Sequence, residues 1–444
     1  MKKKLSSLRV ISLGYMLIIL TGTLLLMLPF ASQGSHDVSF LEALFTATSA
    51  SCVTGLIVLD TATSWTFFGQ AVIITLIQIG GLGFMTIATV FFKLLKKRMG
   101  LREREIMVES INDDNIGSIM QLTGKIAAGT AIFEGLGAIL LSIRFIPDFG
   151  FAKGIWYSVF HSVSAFCNAG FDLLGIIEPY TSLVPYADDT LVILTLCFLI
   201  TVGGIGFLVW DDIYKNRFRI KKYRLHTKIV LVVSAILTFG GALLFFIFER
   251  NFTNSDTAIK QKILYSLFDS VTARTAGFNT VDTASLSPAG KMLTVFLMFI
   301  GGSPGSTAGG MKTTTLAVIF ISTVNGILRR ESKGVFGRRL EKDAIHKASS
   351  VAFTNISLAL AGIVIICAVQ PSLGISDIIF EVTSAIGTVG MTTGITRDLE
   401  TVPRIVIAFL MYCGRVGSVS FALALTEKKA PPPVKNPREK ITIG

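Results

Sequence analysis

FEVTSAIGTVG, residues Phe380–Gly390, is written four times in this chain in slightly different words. The other copies are FTATSASCVTG (Phe45–Gly55), FHSVSAFCNAG (Phe160–Gly170) and FDSVTARTAG (Phe268–Gly277). Each reads Phe-x-x-x-(Ser/Thr)-Ala and reaches a glycine four or five residues later, the third copy being one residue shorter. The closing glycines lie 115, 107 and 113 residues apart, a unit of roughly 110 residues repeated four times. A second landmark follows, its first glycine 24–33 residues further on: IGGLGF (Ile79–Phe84), VGGIGF (Val202–Phe207), IGGSPG (Ile300–Gly305) and CGRVGS (Cys413–Ser418). Two landmarks in the same order in four units point to an internal repeat rather than to the general abundance of glycine in membrane helices.

The units sit in a strongly apolar chain. Of 444 residues 51% are hydrophobic and 16% charged, and the mean hydropathy is +0.65. Several apolar runs are long enough to cross a ~30 Å hydrocarbon core as a helix: Ser12–Phe30, Gln70–Phe92, Thr190–Trp210, Thr227–Phe248 and Phe353–Val369. The first follows MKKK but is too long for a signal peptide and is not followed by a small-x-small cleavage signal, so it reads as a retained span. Each unit then reads as an outer span, a short helix, a glycine-bearing loop and an inner span. The short helices, about Leu41–Ser49, Gly154–Ser164, Lys262–Thr272 and Ser376–Ser384, suit re-entrant segments.

Charge sets the orientation. Of 41 Lys and Arg, 29 fall in five segments between or beyond the spans: six in Lys93–Arg104, seven in Lys215–Lys228, seven in Arg329–Lys347, four in residues 2–9 and five after Thr426. By the positive-inside rule these segments and both termini are cytoplasmic, and the net charge of +12 requires no nucleic-acid partner. Every unit thus starts on the cytoplasmic side, so the repeats are parallel, unlike the inverted repeats of many secondary transporters. The expected fold class is an all-α polytopic membrane protein with four parallel pseudo-repeats of outer helix, pore helix with filter loop, and inner helix around one central pore. The boundaries are 1–100, 101–222, 223–345 and 346–426, with a cytoplasmic tail at 427–444.

Irregular backbone at membrane depth survives only inside protein or along a water-filled path. Four such loops around one axis would offer rings of carbonyl oxygens able to replace the hydration shell of a small cation, glycine giving the freedom to aim them inward. The candidate residues are Val53, Thr54 and Gly55; Asn168, Ala169 and Gly170; Thr275, Ala276 and Gly277; and Thr388, Val389 and Gly390. None is acidic, so carbonyl dipoles would select the ion. The bland alternative is that the glycines allow tight turns. Cys52, Cys167, Cys197, Cys367 and Cys413 have no paired spacing and are expected as free thiols, and the four histidines show no metal spacing. No phosphate-binding, zinc-protease or nucleophile motif stands out, so no enzyme is expected.

TVGMTTG (Thr388–Gly394) resembles a potassium-channel filter loop. With the fourfold arrangement, nearly the whole chain resembles the Trk/Ktr/HKT superfamily of potassium transporters, most closely the bacterial Ktr membrane subunits. The resemblance implies one pore per chain in the plasma membrane. It also implies K+ held by filter carbonyls, with filter glycines at Gly55, Gly170, Gly277 and Gly390. In relatives that carry Na+ the first of these is serine, so Gly55 favours K+. The loops depart from a strict TVGYG, which implies more modest K+ over Na+ selectivity. The resemblance further implies a homodimer and a separate Ktr-type cytoplasmic nucleotide-binding regulatory ring, with Lys93–Glu105, Lys215–Lys228 and the region of Gly326–Lys333 as candidate contacts. K+ is then the transported ion, Na+ a candidate activator, and no organic cofactor is bound by this chain.

Two anomalies remain. GGSPGSTAGGMKTTT (Gly301–Thr315) interrupts the third inner span, and Pro288–Leu328 is about 41 residues, too long for one crossing. The expectation is two half-helices, roughly Ala289–Ile300 and Thr314–Leu328. They would be joined at mid-membrane by a gating loop of Gly301, Gly302, Ser303, Pro304, Gly305, Ser306, Thr307, Ala308, Gly309, Gly310, Met311 and Lys312. Ser303, Ser306, Thr307 and Lys312 would face water, and the counterparts in units one and two would be nearly uninterrupted. A packed hinge, or an anion site at the half-helix N-terminus, is the competing reading. Arg415 replaces the glycine found at Gly81, Gly204 and Gly302. Buried arginine at membrane depth marks function by default: a gate charge below the filter, or a pair with a carboxylate such as Glu134. A secondary transporter for another cation or small solute, using the broken helix as its site, is the alternative function.

Overall fold

The computed structural model describes residues 6–34, 38–83, 85–89, 100, 103–104, 106–107, 119–217, 219–249, 259–329 and 335–418. The tail at 427–444, most of Lys93–Glu105 and residues 330–333 of the third basic segment lie outside the described residues. Those described form helices and loops, with only isolated β-bridges besides.

Among the described residues four single helices are long and apolar enough to cross a membrane: α1 (Ser7–Leu26), α4 (Ile119–Phe149), α8 (Leu225–Phe248) and α12 (Lys342–Val369). Large apolar side chains are exposed along their middle turns, among them Leu17, Leu24, Ile139, Phe239, Leu243 and Val364. That is the pattern of a helix with one face in lipid. After each comes a shorter helix: α2 (Phe40–Ser51), α5 (Phe151–Phe166), α9 (Ile259–Thr272) and α13 (Ile375–Gly387). The longest of these has 16 residues, about 24 Å at 1.5 Å per residue, which falls short of the hydrocarbon core. Ser39 starts α2 with a reciprocal capping box to Glu42. The motif phenylalanines Phe45, Phe160, Phe268 and Phe380 are all fully buried.

Each short helix gives way to a glycine loop and then to an inner helix: α3 (Phe67–Leu82), α6 (Thr190–Ile205), α10 (Pro288–Phe299) and α14 (Thr401–Val416), with α7 (Phe207–Asn216) after α6 and α11 (Thr313–Ile327) after α10. The inner helix of one unit packs on the short helix of the next. α3 meets α5, α6 meets α9, α10 meets α13, and α14 returns to α2, so the contacts close into a ring.

The half-helices around the third break end within a residue of the expected bounds. The expectation that the second inner span runs nearly uninterrupted is overturned: α6 and α7 meet at 93°. The hinge is Gly206, at φ 105°, a conformation open to glycine and penalised for other residues. Gly83 at φ 79° and Gly417 at φ 91° end α3 and α14 in the same way.

Candidate functional site: four glycine loops and the loop beneath them

The motif Ser or Thr fastens each loop. The Ser49 carbonyl accepts the Thr54 N–H at 2.8 Å and its Oγ accepts the Gly55 N–H at 3.0 Å. Ser384 does the same for Val389 at 2.9 Å and Gly390 at 3.0 Å. Ser164 and Thr272 use their carbonyls on Ala169 and Ala276, and their hydroxyls donate to the Phe171 and Phe278 carbonyls. The repeated Ser/Thr is thus a satisfied internal cap, as buried polar groups require.

Above these caps the backbone is strained in the same way four times. Val53 (φ 56°), Asn168 (59°), Thr275 (124°) and Thr388 (51°) lie at positive φ, and two residues later so do Gly55 (95°), Gly170 (69°), Gly277 (82°) and Gly390 (96°). Positive φ is unusual for any residue with a side chain and more so for β-branched Val and Thr. Left-handed residues at alternate positions turn successive peptide planes over, so that carbonyls face one side of the chain instead of alternating.

The loops meet one another. A Cβ placed on Gly55 would lie 2.5 Å from the Ala169 carbonyl oxygen, and one on Gly170 would lie 2.5 Å from that of Ala276. On Gly277 it would collide with the Val389 carbonyl, and on Gly390 with that of Thr54. Each glycine thus lies against the carbonyl before the next unit's glycine, and the fourth closes on the first. The carbonyls of Thr54, Ala169, Ala276 and Val389 thus belong to a single closed ring of contacts between the four loops.

Side chains behind the ring hold it. Glu381 accepts from the Thr392 hydroxyl at 2.7 Å and also from Thr396. His161 Nε2 accepts the Leu173 N–H at 3.3 Å. These two residues, at the position after the motif phenylalanine, pin the segments beyond the fourth and second loops, whereas Thr46 at the same position of the first has no partner for its hydroxyl. Asp282 is likewise spent on local structure, capping a turn at Thr283–Ser285, whereas the buried Asn279 Oδ1 has no hydrogen-bond partner and only the backbone of Asn279 is engaged, its carbonyl accepting the Leu183 N–H.

Gly301–Lys312 lies directly under the ring. Its backbone is attached to two other units: Ser303 N–H to Gly204 O at 3.0 Å, Thr307 N–H to Gly203 O at 3.3 Å, and Gly310 N–H to Gly414 O at 3.3 Å. In return Phe207 N–H donates to Gly305 O at 2.7 Å. Arg415 reaches the remaining unit. Its guanidinium donates to the Thr307 carbonyl on one side and to the Gly80 and Gly81 carbonyls on the other. The second landmark of each neighbouring unit, GG or GR, is therefore the seat of this loop. Gly309 abuts the Thr388 side chain and Gly310 abuts Gly387, leaving no room for a side chain at either.

Two expectations change here. Ser303 and Thr307 do not face water: both are fully buried, Ser303 Oγ bonding Thr313 Oγ1 and Thr307 donating to Phe166 O at 3.0 Å. Ser306 and Lys312 do line a cavity of about 560 Å³, with Arg415, Lys347 and Asn355. Lys312 Nζ donates to the Ala308 carbonyl at 2.7 Å. Arg415 pairs with backbone carbonyls rather than with Glu134, which is held instead by Gln78 Nε2 at 3.2 Å.

Among the described residues no group of three or more His, Cys, Asp or Glu is arranged for a metal ion, and all five cysteines are free. What the site offers is a ring of backbone dipoles, the chemistry of alkali-cation coordination. A family model described as a cation transport protein, TrkH, matches residues 9–432. The chain belongs to the TrkH family of cation transport proteins. The resemblance drawn from the glycine loops is thereby borne out, and the family is one of membrane transporters rather than enzymes. Over 449 aligned residues the chain is 43% identical to the potassium/sodium uptake protein NtpJ of Enterococcus hirae, covering 100% of this chain and 98% of that one. It is 39% identical to the Ktr system potassium uptake protein B of Bacillus subtilis, covering 94% and 93% of the two chains. The crystal structure of the potassium transporter TrkH from Vibrio parahaemolyticus shares the fold, with a TM-score of 0.74 at 17% identity over 96% of this chain and 86% of that one.

One residue was passed over in the sequence. Arg274 stands three positions before Gly277, where the other loops have Cys52, Cys167 and Gly387. The signal that singled out Arg415, an arginine inside a membrane segment, applies to it equally.

Proposed function

We propose that this chain moves K+ across the cell membrane through its own centre. The four-unit division is taken as the framework, with Val53–Gly55, Asn168–Gly170, Thr275–Gly277 and Thr388–Gly390 as the selectivity filter. The observation that carries this reading is the closed ring of the Thr54, Ala169, Ala276 and Val389 carbonyls against four positive-φ glycines. Such a ring can exchange peptide oxygens for the water around a dehydrated cation. The names of the relatives favour K+, and that of NtpJ adds Na+, in keeping with loops looser than TVGYG.

Gly301–Lys312 is the gate in this reading. It lies across the path below the ring, and Arg415 is the clasp that holds it to the first unit. Opening requires those attachments to be exchanged or released. Both termini and the basic segments face the cytoplasm, the chain acts as a homodimer, and a cytoplasmic nucleotide-binding subunit controls it through the basic loops.

Expression in a potassium-uptake-deficient strain tests the reading. Growth at low K+ should be restored, and Gly277→Ser, which thrusts a side chain onto the Val389 carbonyl, should abolish it at equal membrane abundance. Vesicles impermeable to rubidium in every activating condition would sink the proposal.

A further inference from the structure

The third loop is built differently from the rest. It is one residue shorter. Thr275 sits at φ 124° where its counterparts sit between 51° and 59°. In the first and fourth loops the glycine N–H has a serine hydroxyl as its own acceptor at 3.0 Å. In the third, the N–H groups of Ala276 and Gly277 share one carbonyl, that of Thr272, at 2.9 and 3.4 Å. This loop has lost a residue and, like the second loop, lacks the serine-hydroxyl fastening of the glycine N–H.

Arg274 supplies one from outside. Its side chain reaches back to the outer helix α8, donating from Nη1 to Thr238 Oγ1 at 3.0 Å and to Ser234 O at 3.3 Å, and from Nη2 to Ser234 Oγ at 3.4 Å. No carboxylate pairs with it among the described residues. An arginine at membrane depth with neutral acceptors alone is unfavourable and is retained where its geometry matters. The next residue, Thr275, is hydrogen-bonded through Oγ1 at 2.7 Å to the side-chain amide of Asn168 in the second loop. A continuous tie therefore runs from α8 through Arg274 and Thr275 to Asn168. Beside it is a cavity of about 20 Å³, enough for one water. Asn168, Gly204, Ser234, Thr238, Arg274 and Gly302 line it, so filter loops, inner-helix break and gating loop all meet there.

We infer that Arg274 is a positioning residue for ion selection: it holds the short third loop at the radius of the other three and so sets the preference for K+ over Na+. The inference rests on the filter reading above. A guanidinium suits the task because its planar fork spreads donors over two acceptor residues one helical turn apart. Lysine offers a single point charge, and glutamine falls short of the helix.

The test is rubidium uptake into proteoliposomes containing the full chain, competed by K+ and by Na+, with Gly277→Ser as the reference for a damaged filter. Arg274→Gln should lower the K+ over Na+ preference about tenfold, the size of one charge-assisted hydrogen bond, while cation uptake continues. Arg274→Lys should fall between the two. Arg274→Gly with one isoleucine inserted before it gives the third loop the length of the fourth and should recover most of the preference. It also keeps the inference testable if Arg274→Gln does not fold. Wild-type preference in both Arg274→Gln and Arg274→Lys, with rubidium uptake or its preference lost in Gly277→Ser, overturns the role of Arg274 alone. Failure of the lengthened loop to recover preference also overturns it. Undiminished preference in Gly277→Ser overturns the filter reading itself.

Discussion

Arginine stands at 415 where the same motif carries Gly81, Gly204 and Gly302, and its guanidinium joins two segments far apart in the chain, the Thr307 carbonyl and those of the adjacent Gly80 and Gly81. A charged donor bound to carbonyls contributes about 1.5–3 kcal/mol net per bond. If Gly301–Lys312 is the gate, Arg415→Gln should shift it towards open and raise rubidium flux by about tenfold or more. Lower flux at equal protein would mean that the clasp supports the open pore instead. The anomaly of Arg415 is legible in the sequence, because charge at membrane depth is rare. Its partners are not, because they are carbonyls whose direction is set by breaks at Gly83 and Gly310, both at positive φ. Asp172, in the loop beyond the second glycine turn, gives another residue-scale prediction. Burial, and then the Asp60 carboxylate, push it up to about 7, against about 3.9 in an unfolded chain. The folded state holds the proton more tightly, so this contribution to stability is complete below the unfolded value and is lost as pH rises through about 7. Asp172→Asn should raise the thermal midpoint more above about pH 8 than below about pH 5. Equal shifts at both, by scanning fluorimetry, would contradict it.

At the scale of elements, what could be read was periodic and what could not was a matter of single dihedrals. The runs for α1, α8 and α12 announce themselves by length and hydropathy. The short helices follow from the repeated Phe and Ser/Thr, which prove to be a buried plug and an internal cap. The 93° turn at Gly206 lies hidden in the apolar run of Thr190–Trp210, because hydropathy is blind to φ. The third break shows itself only because polar residues and a proline accompany the glycines. That loop is bound at both ends, by Phe207 N–H to Gly305 O and by Gly310 N–H to Gly414 O, with Thr307 clasped between. Shortening Gly305–Gly310 removes these attachments while leaving α10 and α11 intact. If the loop is a gate, rubidium flux per protein should rise; unchanged or reduced flux with normal expression would count against it.

At the scale of the whole molecule the arrangement is a closed chain of contacts, α3 on α5, α6 on α9, α10 on α13 and α14 on α2. The parallel units proposed above account for it: each inner helix would leave its own loop and support the next unit's short helix, so that the ring closes with all four starting on the same side. The clustering of 29 of 41 basic residues between and beyond the units states the same thing in charge. This orientation can be measured with little background. Cys52, Cys167, Cys197 and Cys413 are buried and Cys367 half-buried, so native thiols are poorly placed for a charged, membrane-impermeant maleimide. Lys221 lies exposed in the second basic segment, and Lys260 lies exposed at the start of α9, on the other side of α8 in the chain. Lys221→Cys should label in inverted vesicles and not on intact cells, and Lys260→Cys should do the reverse. Labelling of both from one side would break the parallel arrangement, because the outer helix α8 between them would then not cross, and a ring of four like units could not surround a single axis.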